Sequence, residues 1–279
     1  MNLLPLYTGA SGGSDCLPVK KEWGWRITKD VPPVELKFRL DAPDRSIEAS
    51  VHLPRESMRP VELLPVLLSL ADAVVAMSES RATESGETIS CREGCAACCR
   101  QLVPVSEPEA LHLAALVQGM PEPRRSQVSD RFREARRRAA TVLEPLHAPE
   151  ADTIAELGKA AWPYFALAIA CPFLEQERCS IHENRPSVCR EYLVVSPPEH
   201  CAELDAERVR RLPVPVTVSS ALMHFADGRG IKELRALPLI DSLDWAADCH
   251  SETHPRIPAP ELFQNFMKEL TQPRSSGSG

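Results

Sequence analysis

Long hydrophobic runs are missing from this chain. No apolar stretch approaches the ~20 residues a helix needs to cross a bilayer, so no transmembrane segment is expected. Residues 1–17 have no basic start, and Pro5 cuts their short apolar run, so no secretory leader is expected. A cytoplasmic location follows as the expectation, with thiols kept reduced. Aromatic residues make up only 5% of the chain, so the cores must be built from Leu, Val and Ala. Glycines number 12 and form no phosphate-cradling loop. There is no internal repeat, no Ser-His-Asp set and no paired-carboxylate motif, so no residue is assigned a catalytic role. Excess positive charge is missing too: the net charge of -7 argues against nucleic acid or an anionic membrane as the main partner.

What is abundant is proline, at 26 residues, and cysteine, at 10. The prolines imply stiff turns and interrupted helices. Eight of the cysteines fall into two batches. The first is Cys91, Cys95, Cys98 and Cys99, and the second is Cys171, Cys179, Cys189 and Cys201. Gaps of two and three residues let one loop aim several sulfurs at one point, and thiolates suit zinc, copper(I) or iron–sulfur clusters. Gly94 allows a tight bend inside the first batch. A disulfide scaffold is disfavoured by the chain length, the absence of an export signal and the vicinal pair Cys98-Cys99.

The rest of the chain frames these batches. Residues 34–40 and 47–53 alternate apolar and polar around Asp41-Ala42-Pro43-Asp44 and read as a β-hairpin. Helices are expected over 61–77, over 106–118 with Ser106 as N-cap, over 123–143, and over 151–169 with Pro163 as a kink. An extended stretch at 214–218 and helices near 220–225, 230–247 and 260–270 follow, then a flexible tail at 275–279. The fold class is therefore mainly α (α+β), with a short N-terminal hairpin and a loop-rich cysteine centre. The expected parts are 1–80, hairpin plus helix; 81–205, the metal-binding domain; 206–270, a helical extension; and 271–279, a tail. The arginines of the 124–138 stretch read as a solvated face, with an acidic protein partner as the sharper alternative.

The two batches, with Cys91-x3-Cys95-x2-Cys98-Cys99, Cys171-Pro172-Phe173-Leu174 and Cys179-x-Ile181-His182-x2-Arg185-Pro186-x2-Cys189-Arg190-x-Tyr192, resemble the YkgJ-type cysteine-cluster family. The resemblance covers roughly residues 89–202 and implies a zinc- or iron-chelating domain. A flagellin lysine methylase has a similar cysteine cluster, held to carry a [4Fe-4S] centre, which weights the expectation toward iron–sulfur. The spacing Cys91-x3-Cys95-x2-Cys98 also occurs in radical SAM proteins, but the repeated βα units of that fold are not expected here.

All eight batched cysteines are thus candidate metal ligands, for a [4Fe-4S] cluster or for Zn. Adjacent side chains diverge, so Cys98 and Cys99 are expected to serve different directions. Arg185, Arg190 and Tyr192 are candidate cofactor-contacting residues, the arginines as donors to cluster sulfur. His182 reads as an orienting group and His200 as a weak ligand candidate. Cys249, His250 and His254 form a weak separate set, and Cys16 is an isolated thiol. Two function classes remain: an iron–sulfur protein for redox or modification chemistry, and a structural or transient zinc module for interaction or metal handling.

Overall fold

The computed structural model describes residues 7–9, 33–41, 46–148, 153–203, 207–225, 236–248 and 255–272. Strands β1 (Tyr7–Gly9), β2 (Val34–Asp41) and β3 (Ser46–Leu53) form a sheet in the order β1-β3-β2. The β2–β3 pairing is antiparallel, from Val34 opposite Leu53 to Asp41 opposite Ser46. Its alternating pattern buries Leu40, Ala49, Val51 and Leu53 on one face.

After the two-residue strand β4 (Ser57–Met58), α1 runs from Pro60 to Glu84. Pro60 fits the first helical position, and Glu62 reaches back to accept from the Arg59 N–H at 2.6 Å. The helix extends past the expected end at 77 through the polar residues 78–84, and Pro65 in its opening turns does not break it. At 25 residues it is also long and apolar enough, by length and composition alone, to cross a membrane. That corrects the expectation that no such stretch exists. Half of its most apolar window is buried against the rest of the protein.

Strand β5 (Pro104–Ser106) leads into α2 (Glu107–Gln118), where Ser106 and Glu109 form a reciprocal capping box. Helices α3 (Arg124–Leu143) and α4 (Thr153–Ala166) follow, with Pro163 inside α4. A tight hairpin joins β6 (Leu174–Glu175) to β7 (Arg178–Cys179). Two short helices come next, α5 (Ser187–Glu191) and α6 (Pro198–Ala202), and then α7 (Val218–His224). The expected helix near 230–247 is corrected at 236–238, and 230–235 lie outside the described residues. There β8 (Ala236–Pro238) pairs with β5, and the helical part begins after it, as a 3-10 turn at Leu239–Asp241 that runs into α8 (Ser242–Asp248). Pro238 has no N–H to give a helix, and it breaks the apolar pattern. Strand β9 (Ile257–Pro258) pairs with β4 and starts α9 (Ala259–Thr271). The fold is mainly helical with small strand pairs, as expected. The 8–14 glycine/serine run beyond Gly9, Cys16, the tryptophans at 23 and 25, Cys249, His250, His254 and the 275–279 tail lie outside the described residues.

Two cores result. One joins the β2–β3 sheet and α1 to α7 and α9, through Leu63, Leu67, Leu262 and Phe263. The edge-to-face pair Phe225–Phe266, with centroids 5.4 Å apart, lies inside it. The N-terminal and C-terminal parts of the chain therefore share one interior. The other core packs α2, α3 and α4 around Phe132 and Phe173, whose rings meet edge-on at 5.3 Å. Cys171 and Cys179 pack against this second core, and Cys91 packs against a small cluster of Val75, Ala82, Leu193 and Leu212.

Candidate metal centre

The first batch is built by turns. The Cys95 N–H donates to the Arg92 carbonyl at 3.0 Å, and Gly94 takes φ of +85° to close the bend. A 3-10 turn at Ala97–Arg100 then carries Cys98 and Cys99 side by side, their thiols hydrogen-bonded to each other. A 2.7 Å bond from the Cys171 N–H to the Cys99 carbonyl joins the second batch to the first. Across the outside, Glu93 pairs with Arg178 at 3.1 Å and Arg100 with Glu177 at 2.8 Å. These surface pairs are worth little singly, but they tie the first loop to the β6–β7 hairpin. That hairpin turns through Gln176 and Glu177 at φ of 51° and 56°. Both central residues are left-handed, as a two-residue hairpin turn prefers, though neither is glycine.

The thiols converge as two overlapping groups. Cys201 feels the charges of Cys91, Cys95 and Cys98, and Cys91 feels those of Cys98 and Cys95. Cys189 feels Cys171, Cys98 and Cys179. Cys98 belongs to both groups. Cys201 is close to Cys171, Cys179 and Cys189 in sequence, yet in space it sits with Cys91 and Cys95. Among the described residues no three His, Cys, Asp or Glu side chains close on a single point as the ligands of one ion. All eight described cysteines are free thiols.

Burial pushes the thiols of Cys91, Cys171, Cys179, Cys189 and Cys201 above their usual range, Cys171 to about 12. Cys98 rises mainly because of its hydrogen bond with Cys99, then by burial. Several groups oppose the rise. Backbone N–H groups of Val194, Phe173 and Ile181 donate to Cys91, Cys171 and Cys179. The Arg185 guanidinium favours the thiolates of Cys91, Cys98, Cys179 and Cys189 together. Tyr192 donates its hydroxyl toward Cys201, accepts from Gln101 at 3.4 Å, and lies under the Arg211 guanidinium at 4.9 Å.

The donor set fits a thiophilic metal centre. It gathers eight partly buried or buried thiols, with N–H groups aimed at three of them and one guanidinium, that of Arg185, shared by four. A bound cation would supply the positive charge that thiolate ligation requires.

The other candidates sit elsewhere. Arg190 is buried, but its guanidinium is spent on Asp72 of α1 at 2.5 Å and on the carbonyls of Glu183 and Arg185. It anchors a loop and does not face sulfur. His182 is perturbed by burial and by Arg185 and Arg190. The His200 ring meets the Arg208 carbonyl at 3.1 Å. The α3 arginines are engaged within the chain: Arg131 with Glu175, Arg136 with Asp241, Arg137 with Glu134, Arg138 with the Leu167 carbonyl, and Arg124, Arg125 and Arg133 with acidic neighbours.

Sequence reasoning missed the polar groups that hold the short cysteine-bearing helix. Glu109 on α2 accepts from the Ser187 N–H at 2.7 Å and from its hydroxyl at 2.6 Å. Glu191 accepts from the Val218 and Ser219 N–H groups at 2.6 and 3.2 Å, capping α7. Only the local capping half of the Glu109 arrangement is readable, as Ser106-x-x-Glu109.

Residues 90–209 match the family model CxxCxxCC, described as a putative zinc- or iron-chelating domain. The match agrees with the resemblance drawn from the two cysteine batches. No curated protein and no solved structure matches the chain.

Proposed function

We propose that the centre carries an iron–sulfur cluster for redox or modification chemistry, within the 90–209 segment that matches the zinc- or iron-chelating family. What supports this is that Cys98 is coupled to the thiols of both groups, so more thiols gather in one region than the quartet of a single ion would use. Cys98, Cys171, Cys179 and Cys189 are the proposed cluster ligands. Cys91, Cys95, Cys99 and Cys201 are auxiliary thiols, available to a second ion or an exchangeable position. A cluster held there supplies one-electron transfer.

The residues around it have definable tasks. Arg185 offsets thiolate charge, and charge compensation raises the reduction potential of such centres. The N–H groups of Phe173 and Ile181 fix the sulfurs of Cys171 and Cys179, and hydrogen bonds to sulfur act in the same direction. The Phe173 and Ile181 side chains, 1% and 5% exposed, keep water from that side.

The test is anaerobic purification, a visible spectrum, and analysis for iron, zinc and acid-labile sulfide. A brown protein with iron and sulfide in matching amounts supports the proposal. A colourless protein with stoichiometric zinc and no sulfide overturns it in favour of a zinc module.

A further inference from the structure

We propose that Glu109 is a positioning residue for the metal centre, acting through Ser187 to fix the helix that presents Cys189. This rests on the metal-binding reading above and adds a residue outside the cysteine motifs to it. Glu109 is 2% exposed, and Ser106 and Ser187 are fully buried. The two carboxylate oxygens have separate duties. Oε2 accepts from the Ser106 N–H at 2.9 Å and hydroxyl at 2.7 Å, which completes the α2 cap. Oε1 is committed to the N–H and hydroxyl of Ser187, 78 residues further along the chain. A capping box needs no such second partner.

The receiving element explains why this matters. Helix α5 has five residues, too few to hold its shape unaided. Ser187 is its first residue, and Cys189 lies two positions on. The remaining anchors are Arg190, on Asp72 and two loop carbonyls, and Glu191, on the α7 N-terminus. Three buried charged groups therefore hold α5 from three sides. Glu109 grips the N-terminal end, two residues before Cys189, whose thiol is coupled to those of Cys171, Cys179 and Cys98. In Glu109→Gln the shape survives, but an amide N–H₂ replaces one acceptor, leaving a donor against donors.

The experiment uses the full chain freed of metal and titrated with cobalt(II), followed by thiolate-to-cobalt absorption. Zinc affinity is measured in parallel by chelator competition. Partners that orient metal ligands typically contribute 10–100-fold in metal affinity. Glu109→Gln is expected to lose on that order and to show weaker thiolate-to-cobalt bands per bound ion. Ser187→Ala keeps its backbone N–H and is expected to lose less, in the same direction. Leu262→Ala, which opens a cavity in the other core, is expected to lower the melting temperature without changing affinity or bands. Wild-type affinity and spectrum in Glu109→Gln would overturn the inference. So would an affinity loss in Leu262→Ala that matches it at equal destabilisation. A wild type that takes up none of cobalt, zinc or iron would overturn the metal reading itself, and this inference with it.

Discussion

At Gly94 the backbone sits at φ +85°, and a Cβ built there would meet no atom within 4 Å. Space is open, so the constraint is conformational. A left-handed L-residue costs about 1–2 kcal/mol, and Gly94→Ala should lower stability by that amount in denaturant titrations. The cysteines impose a different constraint, one of chemistry. A hydroxyl is a poor ligand for a soft metal, so Cys95→Ser and Cys189→Ser should each lower bound metal, measured by elemental analysis. Cys16→Ser, away from both batches, should leave metal content unchanged. Residue types and spacing alone make the eight cysteine positions readable. Which sulfur faces which is not, because the answer depends on the chain's return at Cys201. Nor does sequence separate Arg185 from Arg190: both stand among cysteines, but only Arg185 turns toward them.

Among the elements, α2 shows how far local pattern reaches. Ser106, Pro108 and Glu109 announce its start, and it begins where expected. Its His112 is unremarkable in sequence, yet it is 6% exposed, and burial, reinforced by Arg190, pushes its pKa down to about 4. The folded state then binds fewer protons than the unfolded chain between about pH 4 and 6.5. Stability should therefore fall as the pH drops through 6.5 toward 4, by at most about 3 kcal/mol. Glu191, raised to about 7 by burial, acts oppositely, gaining stability as the pH falls from 7 toward 4.5. Comparing wild type with His112→Leu separates the two. With the His112 contribution removed and that of Glu191 kept, the variant should gain stability relative to wild type as the pH falls from 6.5 to 4, as judged by urea midpoints. The 236–248 region marks the limit of pattern reading. Its apolar residues are compatible with a helix, but β5 offers an edge, and Leu237 pairs with Val105 there. Short strands of two or three residues have no periodicity to betray them.

For the whole molecule, the decisive arrangement is that two apolar cores are built from the helices and strands, with Cys171 and Cys179 packed only at the border of the second. The β2–β3 sheet, α1, α7 and α9 bury one interior, and α2, α3 and α4 with Phe173 bury the other. Helix α1 links them to the centre, since Asp72 binds Arg190 and Val75 and Ala82 pack near Cys91. Metal-linked folding energy reaches on the order of 10 kcal/mol in small zinc modules, where no other core exists. Here the loss falls on the segments that carry the cysteines: the 91–101 loop, the β6–β7 hairpin and the α5–α6 stretch. Without the cation, thiols pushed up by burial remain protonated and no longer draw these segments together. Stripping the metal with a chelator should therefore increase hydrogen exchange and protease cleavage in 89–103 and 171–201. Residues of α1 and α9 should keep their protection. Equal loss of protection in α9 would show that the metal supports the whole fold, contrary to the two independent interiors.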